Sequence, residues 1–122
     1  MTIERGERPW GYYLVLHEDR GYKVKQFVVR PGMRLSLQRH ARRAELWQVV
    51  RGEALVTLGG DFRRVHPGGH IEIPRGSLHR VESVGTEDLV VIEVQMGEYV
   101  GEDDIERVED DYGRAEAAES RK

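Results

Sequence analysis

Short apolar runs, rich in β-branched and aromatic residues, alternate along the chain with glycines and prolines. No stretch before residue 102 repeats its apolar residues at the helical period of about 3.6. Short runs bounded by turn residues are typical of strands. We predict eight strands: Tyr22–Arg30, Met33–His40, 45–50, Ala54–Leu58, Phe62–Val65, Ile71–Ile73, Leu78–Glu82 and Leu89–Met96. Regularly spaced short strands favour an all-β sandwich or barrel.

The same pattern predicts which side chains share a face, because successive residues of a strand point to opposite sides. In Met33–His40, the polar residues Ser36, Gln38 and His40 alternate with apolar ones. Such a polar face either meets water or lines a pocket, and the alternation alone leaves both possibilities open. The segment 59–61, Gly-Gly-Asp, joins two of the predicted strands and suits a β-hairpin.

The composition changes after Gly101. We expect Glu102–Arg107 to form a short helical turn, because its acidic groups would be favourable at a helix N-terminus. Residues 113–122 are polar, and we expect them to form a disordered tail. No internal repeat or long linker divides the rest, so residues 1–112, including an N-terminal arm, are expected to fold as one domain.

Composition narrows the possible partners. Charged residues make up 34% of the 122-residue chain, yet the formal net charge is only −3. A nucleic-acid-binding protein would show a basic patch or stripe, so we expect no nucleic-acid partner. Residues 1–101 hold fifteen basic and thirteen acidic groups, a net charge of +2. This mildly positive body suits a small anionic ligand.

Membrane insertion and secretion are not expected either. The longest apolar runs have about five residues, far fewer than a membrane-spanning helix requires. The first residues are charged and lack the apolar region of a secretory signal. The chain has no cysteine, which excludes disulfides and thiolate metal sites. We therefore expect a cytoplasmic protein.

Four residues on or beside predicted strands form a candidate metal site. Gln38 and His40 share one strand face, Glu45 follows on the next strand, and His79 comes after a Pro-Arg-Gly turn. Amide, carboxylate and imidazole groups suit several divalent ions, so one ion of Zn, Mn, Fe, Co or Ni is expected without a choice among them. Alternatively, these groups are only hydrogen-bonded inside a barrel that has lost its metal.

These residues also carry a resemblance to a known family. His40, Glu45 and Gly52, followed by Pro74-x-Gly76-x-x-His79, resemble the two motifs of the cupin superfamily. More closely, the chain resembles the cupin domain of type II phosphomannose isomerases, found at the C-terminus of mannose-1-phosphate guanylyltransferase/phosphomannose isomerases. Further matching stretches include Arg8–Gly11, Arg43–Glu45, Gly101–Ile105 and Asp111–Arg114, and together they cover roughly residues 8–114.

The resemblance implies a jelly-roll barrel and a metal-dependent isomerase that interconverts mannose 6-phosphate and fructose 6-phosphate. By position, its metal ligands are Gln38, His40, Glu45 and His79. Many members read His-x-His and then Glu-His-Trp. This chain has Arg42 in place of the second histidine of the first pattern and Leu46 in place of the histidine of the second. A three-histidine site is therefore not possible.

Such an isomerase also needs a cation that binds the phosphate group. Arginine and lysine suit this role, and the candidates are Lys25, Arg34, Arg42 and Arg80. Lys25 and Arg80 are favoured because they lie in stretches that match the family. Strand alternation places Arg80 opposite His79, so Arg80 reaches the pocket only if its strand begins with a bend.

A base must move the proton between C1 and C2 of the sugar. Glu93 is the candidate because it interrupts an apolar strand, where a buried carboxylate would have a raised pKa. Alternatively, Glu93 and Gln95 face solvent from a half-exposed strand.

Two other functions remain open at this point. The barrel could be a non-catalytic module that binds a metal or a sugar phosphate, or an enzyme that acts on another small substrate. Cupin barrels leave strand edges that need covering, and many pair through an added strand. The resemblance therefore implies a two-fold homodimer.

Overall fold

The structure is a computed structural model that describes residues 3–113. These residues form no helix, and hence none that could cross a membrane. They form eleven strands: β1 Glu4–Arg8, β2 Gly11–Asp19, β3 Tyr22–Val29, β4 Leu37–Arg39, β5 Arg43–Arg51, β6 Ala54–Leu58, β7 Asp61–Val65, β8 His70–Ile73, β9 His79–Ser83, β10 Leu89–Gly97 and β11 Glu106–Glu109. The all-β prediction is confirmed.

The strands form two antiparallel sheets. One has six strands in the order β1-β2-β3-β10-β5-β8, and the other has five in the order β11-β4-β9-β6-β7. Side chains from both sheets meet in one apolar core, with Phe27, Trp47 and Val91 from the first sheet and Val56 and Val81 from the second. The core closes the two sheets against each other, since burying these side chains removes a large apolar area from water.

Several predicted strands are present with small shifts at their ends. The predicted hairpin is β6 and β7, whose pairing runs from Ala54 opposite Val65 to Leu58 opposite Asp61. The predicted strand Met33–His40 is shorter, because only Leu37–Arg39 has strand geometry and Arg34 makes an isolated bridge with Glu82. The apolar pattern assigned no strand before Tyr22, yet β1 and β2 pair with each other and β2 with β3.

The predicted helical turn at Glu102–Arg107 is wrong. Residues 102 and 103 lie in a turn, and Glu106–Glu109 is a strand that pairs with β4. Backbone hydrogen bonds to a distant strand outweigh the local preference for acidic residues at a helix start. Of the predicted tail, residues 114–122 lie outside the described residues.

Two glycines allow close approaches between neighbouring segments of the barrel. Gly52 has a φ of 83°, and a Cβ there would lie 2.6 Å from the carbonyl oxygen of Asp88. Gly97, at the end of β10, faces the start of β5, where a Cβ would lie 2.2 Å from the carbonyl oxygen of Arg42. Only glycine fits these positions without backbone movement.

Candidate active site

The four predicted metal ligands come together. Gln38 on β4 is directly opposite His79 on β9. His40 directly follows β4, and Glu45 lies near the start of β5. The ligand atoms of His40, Glu45 and His79 all lie within 4.8 Å of one another. His40 Nε2 is 3.1 Å from Glu45 Oε2, and His79 Nε2 is 3.8 Å from Glu45 Oε1. All three side chains are buried, so water competes poorly for these atoms.

Both histidines are oriented by backbone carbonyl groups. His40 Nδ1 is 2.6 Å from the carbonyl oxygen of Asp104, and His79 Nδ1 is 2.9 Å from that of Ser77. A carbonyl only accepts, so each Nδ1 carries the proton and each Nε2 presents a lone pair toward Glu45. Burial lowers the pKa of both imidazoles, that of His40 to about 4, so both are neutral and able to bind a metal at pH 7.

One atom of the group supports a metal directly. His79 Nε2 is buried and has no hydrogen-bond partner among the described residues. Buried polar atoms are rarely left in this state, and a lone pair beside a carboxylate is well suited to a cation. The residues present therefore fit a divalent metal ion, with two imidazoles and one carboxylate as ligands.

Gln38 is placed to add a fourth ligand. Its amide nitrogen is 3.5 Å from His40 Nε2, and its Oε1 accepts a hydrogen bond of 2.7 Å from the Ser36 hydroxyl. Turning the amide over would exchange its oxygen and nitrogen. The Ser36 hydroxyl can accept as well as donate, so the amide oxygen can face the ligand group without losing this hydrogen bond.

Arg43 is part of the site although it was not among the predicted residues. Its Nε donates to Glu45 Oε2 at 2.8 Å, and its Nη2 donates to His40 Nε2 at 3.3 Å. Nη1 donates to the carbonyl oxygen of Gly101. The signal was present in the sequence, since Arg43, Glu45 and Trp47 are two residues apart and share the inward face of β5. Two of the ligand atoms thus already face a cationic group.

Glu93 points into the barrel, so the alternative in which Glu93 and Gln95 face solvent is wrong. Its Oε2 accepts a hydrogen bond of 2.9 Å from Trp47 Nε1, and its Oε1 accepts one of 2.9 Å from Gln95 Nε2. Trp47 Nε1 also donates to Glu45 Oε1 at 3.0 Å. Burial, together with the neighbouring Glu45, raises the pKa of Glu93 to about 7. Glu93 can therefore exchange a proton near neutral pH.

Some of these groups line one cavity between the two sheets, whereas Glu45 and His79 lie outside its lining. Gln38, His40 and Glu93 form part of its wall. Four cationic residues, Arg8, Lys25, Arg43 and Arg107, line it together with the carboxylates of Glu93 and Glu102. Cations therefore outnumber carboxylates among the residues that line this cavity.

The two favoured phosphate-binding candidates lie in different places. Lys25 lines the cavity, and its Nζ is 2.9 Å from Glu102 Oε1. Arg80 lies outside this lining, since its Nε donates to the carbonyl oxygen of Leu35 at 2.9 Å and its Nη1 is 3.4 Å from Glu109 Oε1. Strand alternation explains the position of Arg80. Because β9 continues without a bend through His79 and Arg80, their side chains point to opposite faces of the strand.

The other two cations considered for the phosphate also lie outside the cavity lining. Arg34 makes two hydrogen bonds, of 2.7 and 2.9 Å, with the carboxylate of Asp111. Arg42 is half-exposed, with its guanidinium 4.4 Å from the centre of the Tyr99 ring and its Nε 3.4 Å from Glu98. Arg42, where the chain departs from His-x-His, therefore lies outside the lining of the described cavity.

Comparison with solved structures defines the class of protein. The fold matches a cupin domain of Schizosaccharomyces pombe Cnp3 with a TM-score of 0.71 and 12% identity, over 80% of this chain and 69% of that one. It matches an oxalate decarboxylase of Lactobacillus farciminis with a TM-score of 0.76 and 17% identity, over 87% of this chain and 33% of that one. The two-sheet barrel is a cupin, as the resemblance implied.

Comparison of sequences gives the family. Residues 2–110 match the family described as mannose-6-phosphate isomerase C-terminal, and the chain belongs to this family. It is 48% identical to the alginate biosynthesis protein AlgA of Pseudomonas aeruginosa and 45% identical to the mannose-1-phosphate guanylyltransferase ManC of Salmonella typhimurium, in each case over 107 residues. These alignments cover 88% of this chain but 22% of each relative. The chain thus spans less than a quarter of the length of these curated relatives.

Proposed function

We propose that the protein is a metal-dependent isomerase that interconverts mannose 6-phosphate and fructose 6-phosphate. The observation that carries this proposal is the buried group of His40, Glu45 and His79, in which His79 Nε2 lacks a partner among the described residues. The same cavity holds a cation, Lys25, and a carboxylate, Glu93. Family membership supports the choice of a sugar phosphate as substrate.

Gln38, His40, Glu45 and His79 would hold one divalent cation. When bound, this ion supplies Lewis-acid stabilisation of the negative charge that develops on the substrate oxygens. The chain contributes the orientation of the ligands, because the carbonyl groups of Asp104 and Ser77 keep both Nε2 atoms directed inward. Burial of the ligands also strengthens every charge interaction in the site.

Glu93 would move the proton between C1 and C2. Its carboxylate is held by Trp47 and Gln95, which fixes the direction of both oxygens. A pKa near 7 lets one carboxyl group take a proton from one carbon and return it to the next at neutral pH. Lys25 would bind the phosphate group of the same substrate from the cavity wall.

The test is turnover by the purified full chain supplied with Mn, Zn, Co or Fe. We expect conversion of fructose 6-phosphate into mannose 6-phosphate with at least one metal. A coupled enzymatic assay measures this conversion. Glu93→Gln preserves the shape of the side chain and should lower kcat by a factor of about 10² to 10⁴ while leaving metal content unchanged.

Two results would contradict the proposal. Saturable binding of fructose 6-phosphate without turnover for any metal would indicate the non-catalytic binding module instead. Full activity of Glu93→Gln would remove Glu93 from the reaction and assign the proton transfer to another group.

A further inference from the structure

Two buried lysines, Lys23 and Lys25, converge on the carboxylate of Glu102. Lys25 and Glu102 line the cavity, and Lys23 lies outside its lining. Lys23 and Lys25 lie on the inward face of β3, and their side chains are 5% and 8% exposed. Lys25 Nζ is 2.9 Å from Glu102 Oε1 and 3.1 Å from its Oε2, and Lys23 Nζ is 3.1 Å from Oε2. A buried ammonium group requires a partner, and both obtain it from a single side chain.

The charges at this point are not balanced. Glu102 is the one carboxylate among the described residues that contacts both ammonium groups. The carboxylate of Glu18 is 3.9 Å from Lys23 and half-exposed. Glu93 lies opposite Lys25 on β10, but its carboxylate is hydrogen-bonded to Trp47 and Gln95 rather than to a lysine. Lys25 Nζ also lies 3.9 Å from the centre of the Tyr13 ring, which adds only a weak attraction. A dianion would match the two lysines better than one carboxylate does.

We propose that Lys23 and Lys25 form the site for the phosphate monoester of the substrate, and that Glu102 is an internal carboxylate that fills this site until the phosphate displaces it. The identity of the monoester rests on the proposed function, whereas the anion site itself rests on the geometry of the three side chains. Lys23 is thereby a phosphate-binding residue, and Glu102 sets the affinity of the site.

Displacement requires only a movement of the Glu102 side chain. The backbone on either side is held, since the carbonyl of Gly101 accepts a hydrogen bond from Arg43, and the Asp104 carboxylate accepts from the backbone N–H groups of Ala41 and Arg42. The side chain of Glu102 is 32% exposed, so it can rotate toward solvent. A phosphate dianion would then meet both ammonium groups with charge-assisted hydrogen bonds.

Glu102 competes as an anion under all ordinary conditions. Although burial acts to raise it, the ammonium groups of Lys25 and Lys23 hold the pKa of Glu102 at about 2. The carboxylate therefore stays charged at neutral pH, and the phosphate must displace a charged group rather than fill an empty site. This competition lowers the apparent affinity for phosphate, which equals the intrinsic affinity multiplied by the fraction of molecules in which Glu102 has left the lysines.

The first experiment measures binding of inorganic phosphate and of fructose 6-phosphate to the full chain by calorimetry. Glu102→Gln should bind both ligands at least about tenfold more tightly than wild type, because the competing charge is gone. Glu98→Gln, which removes an exposed acidic residue of the same loop, should bind as wild type does. Equal affinity of wild type and Glu102→Gln would overturn the displacement.

A second variant tests Lys23 without the competitor. Adding Lys23→Met to Glu102→Gln should weaken phosphate binding at least about tenfold relative to Glu102→Gln alone, because one charge-assisted contact is lost. Unchanged affinity of the double variant would remove Lys23 from the site.

Wild type supplies a readout if these variants do not fold. The chain has three lysines, so their side-chain ammonium NMR signals can be assigned. Phosphate and fructose 6-phosphate should each shift the signals of Lys23 and Lys25, and the absence of a shift at saturating ligand would overturn the proposal. None of these measurements needs turnover. Phosphate binding at the two lysines without isomerisation would contradict only the proposed function. Isomerisation without phosphate binding at the two lysines would contradict only the anion site.

Discussion

The inward face of the six-stranded sheet has two ends of opposite chemistry. At one end the inward side chains are charged or carry amides: Lys23, Lys25, Glu45, Glu93 and Gln95. At the other end they are apolar: Phe27, Val29, Val49, Leu89 and Val91. The same three strands supply both groups, and antiparallel register keeps them apart, with Lys25 opposite Glu93 and Val29 opposite Leu89.

The difference separates stability from chemistry within one sheet. The apolar end removes hydrocarbon from water, which stabilises the fold in proportion to the area buried. The polar end buries charges whose desolvation offsets most of the energy gained by pairing them. Most of its polar atoms are hydrogen-bonded, but Gln95 Oε1, together with His79 Nε2 on the facing sheet, has no partner among the described residues. Such an arrangement is typical of a binding site rather than of a core.

The largest effect is expected at the metal ligands of the polar end. Glu45→Gln and His79→Ala should each abolish metal uptake, measured by elemental analysis of the purified chain. Glu45→Gln removes the negative charge of the carboxylate ligand, and His79→Ala removes a buried ligand atom. His70→Ala, which alters an exposed histidine on β8, should retain the wild-type metal content. Unchanged stoichiometry in Glu45→Gln or His79→Ala would remove that residue from the site.

The apolar end should respond in the opposite way. Leu89 is fully buried, and Leu89→Ala should lower the free energy of unfolding by about 2–5 kcal/mol through lost burial and the cavity left behind. Metal content should stay as in wild type. Val50→Ala, at a half-exposed position of β5, should change stability by less than about 0.5 kcal/mol. A loss of metal in Leu89→Ala without unfolding would show that the two ends are not independent.

The smallest effect is a pH dependence confined to the polar end. The pKa of Glu102 falls from 4.5 to about 2 on folding, so its ionised form favours the folded state. Its contribution is complete above pH 4.5 and is lost as pH falls toward about 2. Allowing for solvent screening of a side chain that is one-third exposed, we expect a contribution of about 1–2 kcal/mol.

Urea unfolding of wild type and Glu102→Gln across this pH range measures the contribution. The difference in unfolding free energy should be largest above pH 4.5 and shrink as the solution becomes more acidic. Parallel curves for the two proteins down to pH 2 would show that the two lysines do not stabilise the ionised carboxylate.

The sequence predicted well those strands whose apolar residues meet the core. The strand over Tyr22–Val29 and the hairpin of β6 and β7 follow from alternation and a glycine-rich turn. It missed β2, although Tyr13 on that strand belongs to the core. It also failed where pairing alone makes the strand: Glu4–Arg8 is mostly exposed and polar, and Glu106–Glu109 is acidic. Both are strands because a neighbouring strand satisfies their backbone hydrogen bonds, which no local pattern reveals.

By itself, the sequence determined the family, the alternation of faces and the residues that could bind a metal. Gln38, His40, Glu45 and His79 follow from residue type, spacing and motif, because a strand's alternation is a local property of the backbone. The tertiary structure decided which cations reach the cavity. Lys25 and Glu102 are 77 residues apart in the chain, and they meet only because the loop after β10 folds over the inward face of β3. Contacts of this kind depend on the pairing of distant strands, which spacing along one strand does not encode.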